Sequence, residues 1–382
     1  MGQADDSWRV SRRSFLTYSG RTAGAIAGMA LLSDAIDACA SATSSANKSA
    51  SKGLTLAKVE HASGNVKVLG FSGYQVPEST PKGMTATWGY NTTNEQIITK
   101  TTQPGSFDLV IIYQGEIDQL RQLNRIVPLD IGLIPNWKTM NSFFQDTPVI
   151  RREGRVWALP QHWGYGYTQY NKAKVPPPKK FQDLLSPRLH KKVGLPDDPY
   201  AVITTFAFFA GFAKTANNLT PAEFSKTIAL LNSFKPQVLK VHQYGEENQL
   251  FARGDIWVDL PSYSNSVLLT QKAGVPAAFT LLGSWSYVDC YMLLAAARNP
   301  AGGYRYMNQA ISLPAQLAST RKSLAFPVVD AAVKVLPKEL QYKTADQVLK
   351  FAPLMPGVTV KTGGPDVPFS QWISAWERFK GV

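Results

Sequence analysis

The run Phe107-Asp108-Leu109-Val110-Ile111-Ile112-Tyr113 constrains this chain more than any other segment. Its apolar residues are consecutive rather than alternate, as in a strand buried on both faces of a parallel sheet. Asn65–Phe71, Val156–Pro160, Lys192–Leu195 (stopped by Pro196) and Asp255–Leu260 also read as strands. Between them, Ile117–Leu123, residues 201–214, Ala222–Phe234 (opened by Pro221) and Ser264–Lys272 read as helices, and Ile126–Leu129 closes the first unit. Strand–helix alternation implies an α/β architecture. No internal repeat is visible, and 382 residues with 44% apolar composition suffice for two sizeable cores and exclude wholesale disorder. The two cysteines exclude a disulfide scaffold or a four-thiolate zinc site. The four histidines fall in no HExxH or HxxxH spacing. No apolar run reaches the roughly 18 residues that span a bilayer.

The first forty residues read as an address. Ser11-Arg12-Arg13-Ser14-Phe15-Leu16 precedes a short apolar stretch, Thr22–Leu32, with small residues at Ala38 and Ala40. A basic region, an apolar core and an A-x-A site make an export signal. The arginine pair followed by x-Phe-Leu is the twin-arginine pattern, which moves folded proteins. Cys39 opens a second option, a lipid anchor, but Asp37 stands where a lipobox has a small or apolar residue. Cleavage near Ala40 is the reading taken, which places the mature protein in the periplasm. Residues 41–53 form a Ser/Ala/Lys linker without periodicity.

The formal charge of +13 raises the question of nucleic acid. The basic residues are scattered, with only isolated pairs such as Arg151-Arg152, Lys179-Lys180 and Lys191-Lys192. A solvated basic surface is the simpler account, and an exported protein meets little nucleic acid. Catalytic templates are absent: there is no G-x-S-x-G, P-loop, G-x-G-x-x-G or C-x-x-C. Ser319-x-x-Lys322 matches S-x-x-K, but so do Ser45–Lys48 and Ser49–Lys52 in the linker. A non-enzymatic binder without cofactor is therefore expected.

Six collinear segments carry a resemblance. They are Val66–Tyr74; Phe107–Val110 with Val127–Asp130 and Ile134–Trp137; Gly154–Pro160 leading to Trp163-Gly164 and Tyr170-Asn171; Val193–Pro199; Gly254-Asp255 with Ala273-Gly274 and Gly283–Asp289; and Tyr304–Ser312. Together they resemble the spermidine/putrescine-binding proteins of ABC importers, within the extracellular solute-binding superfamily. The resemblance implies a type II periplasmic-binding-protein fold, two discontinuous α/β lobes closing on a cleft. Lobe one would be 54–166 with 287–333, and lobe two 167–286 with 334–382. It also implies a small-molecule ligand and an inner-membrane ABC permease as partners, and a monomer.

In such proteins carboxylates hold the ammonium ends of an amine and aromatic rings sandwich its methylenes. The resemblance carries Asp289 onto the main amine-binding carboxylate and Asp198 onto a second acidic position. Tyr287 and Tyr263 fall on aromatic positions, Phe71 and Tyr74 on those of the first loop, and Phe326 near another; Tyr113 starts a stretch, Tyr113–Gly115, that departs from the family. Ala201 and Leu282 stand where polyamine binders often have Glu, which points to a ligand with fewer charges: a diamine, an amino-acid-like zwitterion or an opine-like compound. Asp198, in Pro-Asp-Asp-Pro, also suits an N-cap. Trp163-Gly164-Tyr165-Gly166-Tyr167 has glycines spaced for a crossover hinge, its aromatics either packing beneath that hinge or meeting ligand, and Trp372, Trp376 and Phe379 read as a core stripe. His162 and His242 are assigned nothing. Two rival readings remain open. One keeps the fold and binds a thiamine-like cation or ferric ion, for which Tyr304 and Tyr306 are the nearest tyrosinate pair. The other is a periplasmic enzyme exported folded.

Overall fold

The apolar runs become the strands of one mixed sheet in the computed structural model, which describes residues 53–71, 74–91, 94–216, 218–263, 266–323, 325–335 and 367–381. The export signal and almost all of the linker lie outside these residues. The strands are β1 (Gly64–Phe71), β2 (Met84–Asn91), β3 (Leu109–Tyr113), the short hairpin β4 (Arg151–Arg152) and β5 (Arg155–Val156), β6 (Leu159–Asn171), β7 (Val193–Pro196), β8 (Val238–His242), β9 (Val258–Tyr263), β10 (Ala277–Leu293) and β11 (Phe326–Pro327). Among the described residues the main sheet has nine strands, in the order β2-β1-β3-β10-β6-β9-β7-β8, with β11 paired to β6.

Two parallel groups flank an antiparallel pair. In one, β2, β1 and β3 run parallel; in the other, β8, β7 and β9 do. The long strands β10 and β6 join them, each antiparallel to its neighbours. All five residues of β3 are buried, as a strand covered on both faces requires. Helix Pro199–Phe209 packs beside the second group, with Ala201, Val202, Ile203, Phe206 and Ala207 fully buried. Helix Pro221–Phe234 starts with a capping box, in which Thr220 and Glu223 each satisfy the other's backbone N–H. Trp372, Trp376 and Phe379 are buried on helix Phe369–Lys380, so the stripe is core packing.

The expected elements are present with shifted ends. The Val156–Pro160 strand is broken at residues 157–158, and β6 then continues to Asn171 straight through Gly164 and Gly166. The chain also contains β2, β8 and the seventeen-residue β10, which periodicity does not reveal.

Candidate functional site

Parallel strands leave a crevice beyond their carboxyl ends, where ligands of open α/β sheets bind. β1 ends at Phe71, with Tyr74 just beyond; β3 ends at Tyr113; β7 leads into Asp197-Asp198; and β9 ends at Tyr263. β10 runs the other way and sets Asp289 opposite Tyr113 on one side and His162 of β6 on the other. It also sets Tyr287 opposite Gly164, and Gly166 lies opposite Tyr263. Cross-strand partners share a face, so Asp289, Tyr287, Tyr263, Tyr113 and His162 lie on one side of the sheet.

Asp289 is 2% exposed. Its Oδ2 accepts from the Tyr74 hydroxyl at 2.7 Å and lies 2.8 Å from His162 Nε2. The Tyr74 ring stands edge-on to His162 at 4.7 Å and to Phe71 at 5.5 Å. Burial, and then the Asp289 charge, hold the Tyr74 hydroxyl well above its ordinary range. Tyr287 and Tyr263 act on Tyr74 in the same direction, so the four groups form one electrostatic neighbourhood.

Asp198 stands across this group, on the second flank. It is the N-cap of helix Pro199–Phe209: it accepts from the Ala201 N–H at 2.9 Å, and Pro199 fills the first turn. Its Oδ2 accepts from the Tyr244 hydroxyl at 2.8 Å. The neighbouring Asp197 is taken up by Trp376 Nε1 at 2.7 Å and Lys380 Nζ at 3.0 Å, which fasten helix Phe369–Lys380.

Aromatic rings fill the space between the two acids. Tyr263 lies 5.4 Å from Tyr244, 5.6 Å from Tyr287 and 6.1 Å from Trp285. Trp285 lies 5.9 Å from Tyr200, which lies 5.2 Å from Tyr113. Tyr113 folds back over Gly115, where a Cβ would fall 1.9 Å from the tyrosine hydroxyl. Only glycine admits that ring position. Gly283, at φ +69°, likewise makes room for Phe209, whose ring would lie 2.6 Å from a Cβ.

The structure thus links Asp289, Asp198, Tyr287, Tyr263, Tyr74, Phe71 and Tyr113 in one connected group of side chains beside the carboxyl ends of the parallel strands. Phe326 is not among them. It pairs with Trp163, on the opposite face of β6 from His162, and packs on Trp163 at 5.0 Å and Tyr165 at 5.7 Å. Four residues enter that the sequence did not single out. His162 touches the main carboxylate, and Trp285 and Tyr200 complete the aromatic wall. Glu116, buried in the turn after β3, lies close enough for its charge to raise both Tyr113 and Tyr200, after burial the main cause. Position 116 directly follows the stretch where the sequence departs from the family, and that was the available signal. The other lone histidine, His242, donates to Asp259 at 2.7 Å beneath this flank.

The tyrosine pair considered for iron lies elsewhere. Tyr304 and Tyr306 are buried on helix Pro300–Ala310, and the Tyr304 hydroxyl accepts from the Asp130 N–H at 2.9 Å. Among the described residues no group of three or more His, Cys, Asp or Glu is placed to hold a metal ion. Nor is any helix among them long and apolar enough to cross a membrane.

Residues 106–345, well over half the chain, match a family described as bacterial extracellular solute-binding protein. Among solved structures, a putative spermidine/putrescine ABC transporter protein from Listeria monocytogenes superposes with a TM-score of 0.71 at 20% identity, over 83% of this chain and 98% of that one. The spermidine/putrescine substrate-binding protein PotD of Streptococcus pneumoniae, solved with calcium and HEPES, gives 0.69 at 17%, over 84% and 99%. The binding protein MotA of A. tumefaciens, solved with glucopine, gives 0.65 at 15%, over 83% and 99%. These likenesses identify the fold as that of the type II periplasmic binding proteins.

Proposed function

This chain belongs to the bacterial extracellular solute-binding proteins, and we propose that it captures a small aminated solute for an ABC importer. The family is one of binding proteins, not enzymes. One observation carries the amine reading: a carboxylate, Asp289, is held almost fully buried beside an aromatic cluster that includes Tyr74, Tyr113, Tyr263, Tyr287 and Trp285. A buried carboxylate is costly unless a positive partner meets it, and aromatic faces attract cations and cover methylenes. Asp198 and Glu116 add negative charge nearby, which suits a second positive group.

The two flanks of the sheet would act as the lobes, 54–166 with 287–333 and 167–286 with 334–382, closing around β6 and β10. Phe71, Tyr74, Tyr113 and Asp289 would meet the solute from one side, Asp198 and Tyr263 from the other. Closure excludes water and so strengthens both the charge and the ring contacts. We place the mature chain in the periplasm as a monomer, exported through the Arg12-Arg13 signal and cleaved near Ala40, and the closed form would dock on the permease.

A thermal-shift screen of the refolded chain tests this reading with putrescine, cadaverine, spermidine, 4-aminobutyrate and basic amino acids. A ligand at a hundredfold excess over Kd adds about 2.7 kcal/mol, enough to move the transition measurably. A shift with a di- or polyamine that vanishes in Asp289→Ala supports the reading. A shift confined to zwitterions keeps the transporter role and replaces the ligand class. No shift across the panel removes the amine reading.

A further inference from the structure

Asp289 already has a partner. The His162 side chain, 4% exposed, places Nε2 2.8 Å from Asp289 Oδ2, the same oxygen that takes the Tyr74 hydroxyl. Its Nδ1 is engaged by the Gln161 side chain, which Ser319 Oγ holds from the other end at 3.1 Å. The ring is therefore clamped on the anchor by two elements and cannot swing clear without breaking both contacts. The groups facing it are few. β10 contributes Asp289, with Tyr113 of β3 beyond it in register. The segment after β1 contributes Tyr74, whose hydroxyl stays protonated far above neutral pH. β11 sets Pro327 opposite, and helix Leu313–Ser323 reaches Gln161 through Ser319 and Gln316. Among these Asp289 is the one carboxylate, and His162 is its one neighbour able to carry a positive charge.

We propose that His162 sets the charge selectivity of this carboxylate: as imidazolium it donates Nε2–H to Asp289 and Nδ1–H to Gln161 Oε1, occupying the anchor and shutting cations out, and as neutral imidazole it gives the anchor up to an ammonium group. The inference rests on the amine reading above and adds a residue that no family position supplied. Two cations on one buried carboxylate repel each other, so the solute and a proton on His162 compete. Binding and protonation are then linked reciprocally: capture expels the proton, and acid expels the solute. His162 is a positioning residue acting through Asp289.

Calorimetric titration of the full chain with putrescine between about pH 5 and pH 8 tests this, because that window spans an ordinary histidine while amines stay protonated and carboxylates stay ionised. The affinity should fall with acid, approaching about tenfold per pH unit at the low end for one linked proton. Buffers of different ionisation heat should report up to one proton released on binding. His162→Gln should be flat with pH and release none. A wild-type affinity that ignores pH overturns the proposal, as does a slope that survives in His162→Gln. Should that variant fail to fold, the His162 ring resonance decides in the wild type. Saturating putrescine should displace its titration toward lower pH, and an unmoved titration overturns the proposal. Absence of putrescine binding at every pH removes the amine reading and this inference with it, whereas pH-independent binding removes only the inference.

Discussion

Asp198 has two jobs in the structure, and one substitution pair separates them. As N-cap it accepts the Ala201 N–H at 2.9 Å, and as a crevice acid it accepts the Tyr244 hydroxyl at 2.8 Å. Serine caps a helix about as well as aspartate, whereas alanine forfeits about 1 kcal/mol. Asp198→Ala should therefore lower stability by about 1 kcal/mol, and Asp198→Ser should hold it within about 0.5 kcal/mol. Tyr244 is 46% exposed, so water can replace the lost acceptor and adds little to either figure. Affinity should behave differently. A hydrogen bond to a charged group is worth about 1.5–3 kcal/mol, and each 1.4 kcal/mol is tenfold, so either variant should weaken putrescine binding on the order of ten- to a hundredfold. Urea denaturation gives the first quantity and calorimetric titration the second. If Asp198→Ser restores affinity together with stability, the carboxylate is a cap alone and leaves the ligand list. If both variants lose affinity while only the alanine loses stability, the two roles coexist.

Three further outcomes follow from the geometry and a fourth from the sequence alone. Burial opposes charge on His242, but Asp259 at 2.7 Å, helped by Glu247, outweighs it and lifts the histidine to about 9. A raised histidine stabilises below its unfolded value near 6.5 and loses that contribution as pH rises through about 9. Up to about 3 kcal/mol should thus disappear over that window in urea titrations, and His242→Gln should flatten the loss. Gly115→Ala should push the Tyr113 ring out of place, costing about 1–3 kcal/mol of stability and weakening putrescine binding at least severalfold by calorimetry. Phe326→Ala should cost about 3–5 kcal/mol in chemical denaturation with putrescine affinity retained in the folded fraction, whereas Tyr263→Ala should weaken binding. Replacing Arg12 and Arg13 by Lys should stop export, read as loss of the processed chain from the periplasmic fraction.

Much of this was legible in the chain because the parallel strands are short, apolar and bounded by turns. β3 shows its double burial in five consecutive apolar residues, and the strands ending at Phe71, at Tyr113 and, two residues before Asp198, at Pro196 point to one side of the sheet without any contact being known. β10 was illegible for a physical reason. Its first half alternates and its second half is buried on both faces, with Gly283 at φ +69° and a register shift between them, so no single period describes it. β6 shows its glycines in a setting that no sequence period gives: Gly164 and Gly166 lie inside a continuous strand, and a Cβ on Gly166 would meet the Trp285 ring at 3.6 Å. His162 illustrates the deeper limit. A lone histidine carries no pattern, and its chemistry exists only because strand register sets residue 162 beside residue 289. The residues that line a crevice can be read from strand ends, but the pairing that sets its charge depends on register across the sheet. That is why the family resemblance could bring Asp289 forward as the proposed anchor, while the histidine beside it carried no signal.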